Sequence, residues 1–118
     1  MTSTTATRTA ATAGFLAVVL GAFGAHVLKH LLAVNGTTTI WEKAVFYHFI
    51  HAVMLFIIAD RKPFRGFVWW SFLVGIILFS GSLYVLAFTN ILWLGAVTPF
   101  GGMAFLFGWG CFIFKKSD

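Results

Sequence analysis

Charged residues are scarce in this chain of 118 residues, because Asp, Glu, Lys and Arg together make up only 9% of it. A typical soluble domain is about one quarter charged and about half apolar, whereas 60% of this chain is hydrophobic. So few charges could not cover the surface of a soluble protein of this size, and this excludes an ordinary water-soluble enzyme. The high apolar content also excludes a disordered chain. The composition therefore predicts a protein embedded in a lipid bilayer.

Cysteines and acidic residues are equally rare. Cys111 is the only cysteine, so an intrachain disulfide and a CxxC redox or zinc motif are both excluded. Lys and Arg outnumber Asp and Glu by 8 to 3, but the basic residues are scattered between apolar runs, which argues against a nucleic-acid partner. No nucleophile, base and carboxylate set is present, and no glycine loop for phosphate. We expect a non-catalytic protein without a cofactor or metal, whose main partner is the bilayer.

The uncharged runs have the lengths of membrane crossings. Residues 66–114 contain no Asp, Glu, Lys or Arg, and one crossing needs about 20 apolar residues, so this run predicts two helices and a tight turn. Residues 9–28 supply a third crossing, and residues 40–59 supply a fourth with Glu42 and Lys43 at its edge. We expect residues 9–28 to be a crossing rather than a cleavable signal peptide, because the apolar run reaches full spanning length.

We predict one all-α integral membrane domain over residues 1–118, a four-transmembrane-helix bundle with helices at about 10–33, 40–59, 64–88 and 91–114. The Thr-rich residues 1–9 are expected to be a short mobile tail, and Lys115-Lys116 to close the chain. Asn35-Gly36 and Thr89-Asn90 are turn signals between the helices.

The basic residues predict how this bundle is oriented. An up-down-up-down bundle places both termini and the middle loop on one side of the membrane. That side carries Arg8, Arg61, Lys62, Arg65, Lys115 and Lys116, and the other side carries Lys29 and Lys43. Because cytoplasmic loops are enriched in Lys and Arg, we expect both termini to be cytoplasmic.

Small residues recur at every fourth position of the first predicted helix. Ala13, Ala17, Gly21 and Ala25 form one smooth stripe, on which another helix can approach closely. We expect the stripe to serve helix packing within the chain. An interface with a second copy, or with another protein of a membrane complex, is the alternative that the sequence leaves open.

Polar side chains inside the predicted helices are concentrated at one depth, in the half of the bundle away from the termini. They are His26, Tyr47, His48, His51, Ser80, Ser82, Tyr84 and Thr98. Polar groups in a membrane interior are costly and frequently functional. A neutral imidazole carries one donor and one acceptor, and we expect the serine, threonine and tyrosine hydroxyls to be the partners. The pattern predicts a polar, histidine-containing cavity that binds a small ligand or cation.

Two other interpretations of the histidines stay open. The same side chains can form a hydrogen-bond network that only fixes the packing of the helices, as in a structural or accessory subunit of a membrane complex. A metal or haem site is the third interpretation. It is disfavoured because Glu42 is the only carboxylate near this side of the membrane, so that a divalent cation would lack compensating charge.

Pro99 lies early in the fourth predicted helix and is followed by Gly101 and Gly102. A proline inside a helix removes one backbone hydrogen bond, and its ring crowds the carbonyl of Gly95. We therefore expect a structural kink or a partial unwinding of the helix at these residues. A break that faces a ligand is the alternative.

Four segments together resemble a known family. They are Gly-Ala-Phe-Gly-Ala-His at 21–26, Tyr-His-Phe-Ile-His-Ala at 47–52, Leu-Phe-Ser-Gly-Ser-Leu-Tyr at 78–84 and Thr-Pro-Phe-Gly-Gly at 98–102. In order and spacing they are similar to the YgdD-type domain-of-unknown-function family of small bacterial inner-membrane proteins. The resemblance implies a multi-pass protein of the bacterial inner (plasma) membrane with four helices. It implies no biochemical activity.

Overall fold

The computed structural model describes residues 2–114, which form helices and no strand. Five helices follow one another along this part of the chain. They are α1 (Ser3–Ala25), α2 (Lys29–Asn35), α3 (Thr38–Asp60), α4 (Gly66–Thr89) and α5 (Leu92–Ile113). All except α2 are long and apolar enough to cross a membrane. A helix of 23 residues is about 34 Å long, which exceeds the hydrocarbon thickness of about 30 Å. The predicted all-α fold with four membrane-spanning helices is confirmed.

The first predicted helix, 10–33, differs most from the structure. It begins at Ser3, because the hydroxyl of Thr2 caps the helix by accepting the Thr5 N–H at 3.1 Å. It ends at Ala25, where the Leu28 N–H bonds back to the Phe23 carbonyl and interrupts the helical hydrogen bonds. The chain then resumes as the separate short helix α2. The Thr-rich segment that we expected to be a tail is therefore helical.

The turns between the other helices lie where the sequence places them. The left-handed conformation of Gly36 (φ 70°) ends α2, and the Thr37 N–H bonds to the Leu32 carbonyl, as in a Schellman motif. Asn90 is also left-handed (φ 61°) and ends α4. The predicted ranges 40–59, 64–88 and 91–114 correspond closely to α3, α4 and α5. The predicted closing residues Lys115 and Lys116 lie outside the described residues.

Two irregular turns lie within α4 and α5. A π-helical turn at Ile76–Ser80 interrupts α4, and α5 starts as a 3₁₀ helix at Leu92–Ala96. The α-helical part of α5 starts only at Thr98, so Pro99 occupies its first turn. Pro99 therefore lies where the 3₁₀ helix passes into the α-helix, and not inside one continuous α-helix. At a helix start the missing N–H of proline has no intrahelical partner to lose.

The helices pack in chain order around a central pair. α1 packs on α3, α3 packs on α4, and α4 packs on α5. α3 and α4 are the most enclosed of the four spanning helices. The bundle has two ends, which we call the Gly36 end (residues 26–38 and 89–92) and the Pro63 end (residues 2–5, 60–66 and 112–114). The hydroxyl of Ser3 donates to the Ala59 carbonyl at 3.1 Å, which fixes the start of α1 at the Pro63 end.

The small residues of α1 and α5 allow close approach of neighbouring helices. Ala13 and Ala17 are buried against α3, Gly21 is half-buried and Ala25 is exposed. A Cβ atom at Gly24 would overlap the indole of Trp41, whose Nε1–H donates to the Leu20 carbonyl at 2.9 Å. The two predicted kink glycines of α5 differ in this respect. Gly101 is buried directly against the backbone of Phe79, whereas Gly102 is half-buried with looser contacts.

Candidate functional site

His48 is held between α3 and its neighbours. It faces inward from α3 and is 5% exposed. Its Nδ1 lies 2.8 Å from the hydroxyl of Tyr84 on α4, and the backbone of Ala13 on α1 also faces the ring. Tyr84 in turn packs edge-on against Trp41, with ring centroids 4.8 Å apart. His48 thus connects three helices through a single imidazole.

His51 makes a different set of contacts one turn further along α3. Its Nδ1 lies 2.7 Å from the Tyr47 carbonyl, and its Nε2 accepts a hydrogen bond of 3.0 Å from the indole N–H of Trp109 on α5. Phe105 stacks on the imidazole with ring centroids 3.6 Å apart. The side chain is 4% exposed.

These contacts specify the protonation of His51. A carbonyl oxygen can only accept, so Nδ1 must carry the hydrogen that it donates to Tyr47. An indole N–H can only donate, so Nε2 of His51 must be unprotonated. The ring is therefore a neutral imidazole of one tautomer whose donor and acceptor are both used. A ligand at Nε2 would have to displace Trp109.

The hydroxyl groups of the predicted site pair locally between helices. Ser80 is fully buried and donates to the Ala44 carbonyl of α3 at 2.7 Å. Ser82 and Thr98 join α4 to α5 through hydroxyl groups 2.6 Å apart. Among residues 2–114, the indole nitrogen of Trp69 is the one fully buried side-chain nitrogen or oxygen without a hydrogen-bond partner.

The structure therefore separates the predicted site residues into pairs. Tyr84 is the one hydroxyl of the expected set that bonds to a histidine, and it bonds to His48. His26 lies exposed just beyond the end of α1, away from both buried imidazoles. Tyr47 contributes its carbonyl to His51, while its own side chain is 37% exposed.

Sequence reasoning missed the aromatic partners of His51. His51 was expected in the half of the bundle away from the termini, with hydroxyl groups as its partners. Since α3 begins at Thr38, His51 lies about 20 Å along it, beyond the midplane and in the Pro63 half. A helical side chain points towards the helix N-terminus, so the indole of Trp109 reaches back towards His51. The need of a buried indole N–H for an acceptor is the signal that could have found this pair.

Polar side chains at the Gly36 end were also missed. Thr37 is buried and its hydroxyl donates to the Ala87 carbonyl at 2.7 Å, and the amide of Asn35 donates to the same carbonyl at 3.1 Å. Both bonds fasten the α2–α3 turn to α4. The Asn35-Gly36 pair was read only as a turn signal, although it also supplies a contact between helices.

An open groove of about 870 Å³ lies between α1 and α3, apart from the histidines. Its floor contains the α1 residues Ala17, Gly21, Ala22 and Ala25, and Lys29 stands beyond them. The α3 wall of the groove is formed by Trp41, Glu42, Val45, Phe46, Phe49 and Ile50. No histidine, serine or tyrosine of the predicted site lines the groove. Within residues 2–114, no three His, Cys, Asp or Glu side chains are grouped closely enough to hold a metal ion.

Comparison with known proteins identifies relatives over most of the chain. Residues 20–102 match the family described as "Protein of unknown function (DUF423)". The UPF0382 membrane protein YwdK of Bacillus subtilis (strain 168) is 46% identical over 100 residues, which are 80% of each chain. The UPF0382 inner membrane protein YgdD of Escherichia coli (strain K12) is 41% identical over 105 residues, 85% of this chain and 79% of that protein.

A third relative, the UPF0382 membrane protein of Haemophilus influenzae, is 41% identical over 107 residues, 84% of this chain and 82% of that protein. No solved structure matches the chain. The expected multi-pass protein of the bacterial inner membrane is confirmed by these relatives together with the four apolar spans. The matched region contains all four segments on which the resemblance was based, and the chain belongs to the DUF423 family, whose members include UPF0382 membrane proteins.

Proposed function

We propose that the protein is a non-catalytic membrane module, in which buried polar side chains hold the helices in one arrangement and so present a fixed surface to the bilayer or to a membrane complex. The observation that carries this proposal is the saturation of His51, whose two ring nitrogens are both hydrogen-bonded beneath the ring of Phe105. Interhelical hydrogen bonds of this type stabilise membrane proteins by about 0.6 kcal/mol on average.

The pairing of polar groups across each helix interface supports the same proposal. His48–Tyr84 and Ser80–Ala44 join α3 to α4, Ser82–Thr98 joins α4 to α5, and His51–Trp109 joins α3 to α5. Each group has a protein partner, so none depends on a bound solute. A network of this kind specifies which helix faces meet.

Binding of a small polar ligand or cation in the half of the bundle at the Gly36 end is the second proposal. It is favoured by the partial exposure of Tyr84 and Thr98. His48, Ser82 and these two residues would be the binding set. His26 would take part only as a group at the membrane surface.

We also propose that the Pro63 end faces the cytoplasm. Arg8 lies in α1 towards this end, and Arg61, Lys62 and Arg65 lie in or beside its loop. Lys29 and Lys43 lie towards the Gly36 end. This imbalance follows the enrichment of Lys and Arg in cytoplasmic loops.

A histidine exchange distinguishes packing from binding. We expect His51→Leu to lower the melting temperature of the purified protein in detergent, because it leaves the Trp109 N–H without an acceptor. His51→Gln retains an acceptor and should recover part of the loss. Thermal melting in the presence of a panel of metal ions, amino acids and sugars is the measurement.

The ligand-binding proposal predicts the opposite melting behaviour of the histidine variants. If His51→Leu and His48→Gln melt like the unaltered protein, and a solute that stabilises the unaltered protein fails to stabilise His48→Gln, the packing proposal is wrong. If melting falls in the order unaltered protein, His51→Gln, His51→Leu and no solute stabilises any of them, ligand binding at this set is wrong.

A further inference from the structure

The groove between α1 and α3 has the length of one membrane leaflet. Along α1 it extends from Ala17 to Ala25, and along α3 from Thr38 to Ile50. At 1.5 Å per residue these edges are about 12 Å and about 18 Å long, close to half of the hydrocarbon thickness of about 30 Å. The groove therefore lies within the leaflet on the side of the Gly36 end.

The groove has small side chains on α1 and large aromatic side chains on α3. Ala22 and Ala25 are exposed on the α1 floor, and Gly21 has no side chain. Phe46 and Phe49 rise on the α3 side and are 60% and 45% exposed. A furrow with an apolar floor and aromatic walls fits a flexible hydrocarbon chain.

Opposite charges stand at the membrane-surface end of the groove. Lys29, at the start of α2, and Glu42, in the second turn of α3, both belong to its lining, as does Thr38. The break at residues 26–28 turns the chain from α1 into α2 at this level. A cation and an anion at the mouth of an apolar furrow complement a headgroup that itself carries both charges.

We propose that this groove binds a zwitterionic phospholipid with a primary ammonium headgroup, with one acyl chain between Gly21 and Phe49. The Lys29 ammonium would meet the phosphate. The Glu42 carboxylate would accept hydrogen bonds from the headgroup ammonium, and charge-assisted bonds of this kind are stronger than neutral ones. A purely anionic headgroup would be attracted by Lys29 and repelled by Glu42. A choline headgroup offers no N–H to the carboxylate.

The charges at its mouth favour a lipid over a helix from a second copy. Lys29 and Glu42 both line the groove, and the apolar spanning helices of a second copy carry few charged side chains that could pair with both. The proposal goes beyond the packing role of the histidines, since the groove contains none of them.

Lipid retention by the full chain tests the proposal. The protein is reconstituted with equal amounts of phosphatidylethanolamine, phosphatidylcholine and phosphatidylglycerol of identical acyl chains, then extracted in mild detergent. Mass spectrometry measures the lipid that stays bound. We expect phosphatidylethanolamine to exceed each of the other two by roughly fivefold, which corresponds to about 1 kcal/mol.

Groove variants and matched controls identify the site. Glu42→Gln should remove the preference over phosphatidylcholine, and Ala25→Leu should reduce retained lipid of every class because its side chain fills the furrow. Lys43→Gln and Ala11→Leu make similar changes at exposed residues that do not line the groove, and both should retain the preference.

Every other result overturns the proposal. Equal retention of the three lipids, or the same loss from Ala11→Leu as from Ala25→Leu, would mean that only a general lipid shell is present. A native mass corresponding to a dimer that Ala25→Leu dissociates would assign the groove to a second copy. Melting of each variant verifies its fold, and Ala22→Leu replaces Ala25→Leu if the latter does not fold.

Discussion

The α3–α4–α5 side of the bundle and the α1–α3 side solve the same packing problem differently. On the first side, polar and aromatic groups fill the space between helices, and His51 is enclosed by Phe105 and Trp109. On the second side, Ala13 and Ala17 allow a close approach of the two backbones, and the contact opens into a groove towards Ala25. The buried polar side chains between α3, α4 and α5 therefore lie where space is filled, whereas the open groove is lined mainly by apolar side chains, with Lys29, Thr38 and Glu42 among them.

This contrast shows that polar residues at a similar membrane depth need not belong to one site. A common depth suggested one shared cavity, but neighbouring side chains of one helix can bond to different helices. His48 and His51 are three residues apart on α3, yet the first bonds to Tyr84 of α4 and the second to Trp109 of α5. Each donor needs an acceptor in a medium without water, and the nearest helix supplies it.

Among contacts between α3, α4 and α5, we expect the largest loss of stability when a side chain is added at Gly101. A Cβ atom there would overlap the backbone of Phe79, which cannot move as a flexible side chain can. We expect Gly101→Ala to reduce the free energy of unfolding by about 2–3 kcal/mol. The measurement is reversible unfolding in mixed detergent micelles.

Gly110→Ala is the matched control for this prediction, because it lies in the same helix and its Cβ atom would have no neighbour within 4 Å. It should be neutral or slightly stabilising, since alanine favours a helix more than glycine does. Equal destabilisation by the two exchanges would show that helix flexibility, rather than contact with α4, requires these glycines.

A smaller effect is expected when the donor to His51 is removed. Trp109→Phe retains an aromatic ring but leaves Nε2 of His51 without a partner, and a buried unpaired acceptor costs about 1–3 kcal/mol. Unfolding monitored by circular dichroism measures the change. Trp93→Phe is the control, because Trp93 is 69% exposed, and we expect it to leave stability unchanged.

A stability loss from Trp93→Phe as large as that from Trp109→Phe would contradict a specific bond to His51. Combining Trp109→Phe with His51→Leu sharpens the result. Because the double variant removes both partners of one bond, its loss should be smaller than the sum of the two single losses.

Most of the fold could be predicted from the sequence, because the hydrophobicity of a membrane span is summed over about 20 residues. Run length, charge gaps and the residues Asn35, Gly36 and Asn90 determine four spans and their turns. The split of the first helix at residues 26–28 was missed, because no proline or glycine marks it. The π-helical turn at Ile76–Ser80 was missed because it packs against α3 and α5, and a single sequence does not display such packing.

The candidate site was predictable in its residues and less so in its partners. Burial of His48, His51 and Ser80 followed from their position inside apolar runs. Which groups they bond depends on helix rotation, which spacing alone does not determine. His51 shows this best: its partner was expected among the hydroxyls and is instead an indole from another helix.

We expect the smallest change in stability from His26. Its exchange therefore tests whether the polar side chains form separate pairs or one connected site. His26 is exposed beyond the end of α1, so His26→Ala should change the free energy of unfolding by less than about 0.5 kcal/mol. Lipid retention should be equally unaffected, because His26 does not line the groove. A melting shift like that of Trp109→Phe would mean that His26 reaches the buried set, and that one connected polar site, rather than separate pairs, joins the helices.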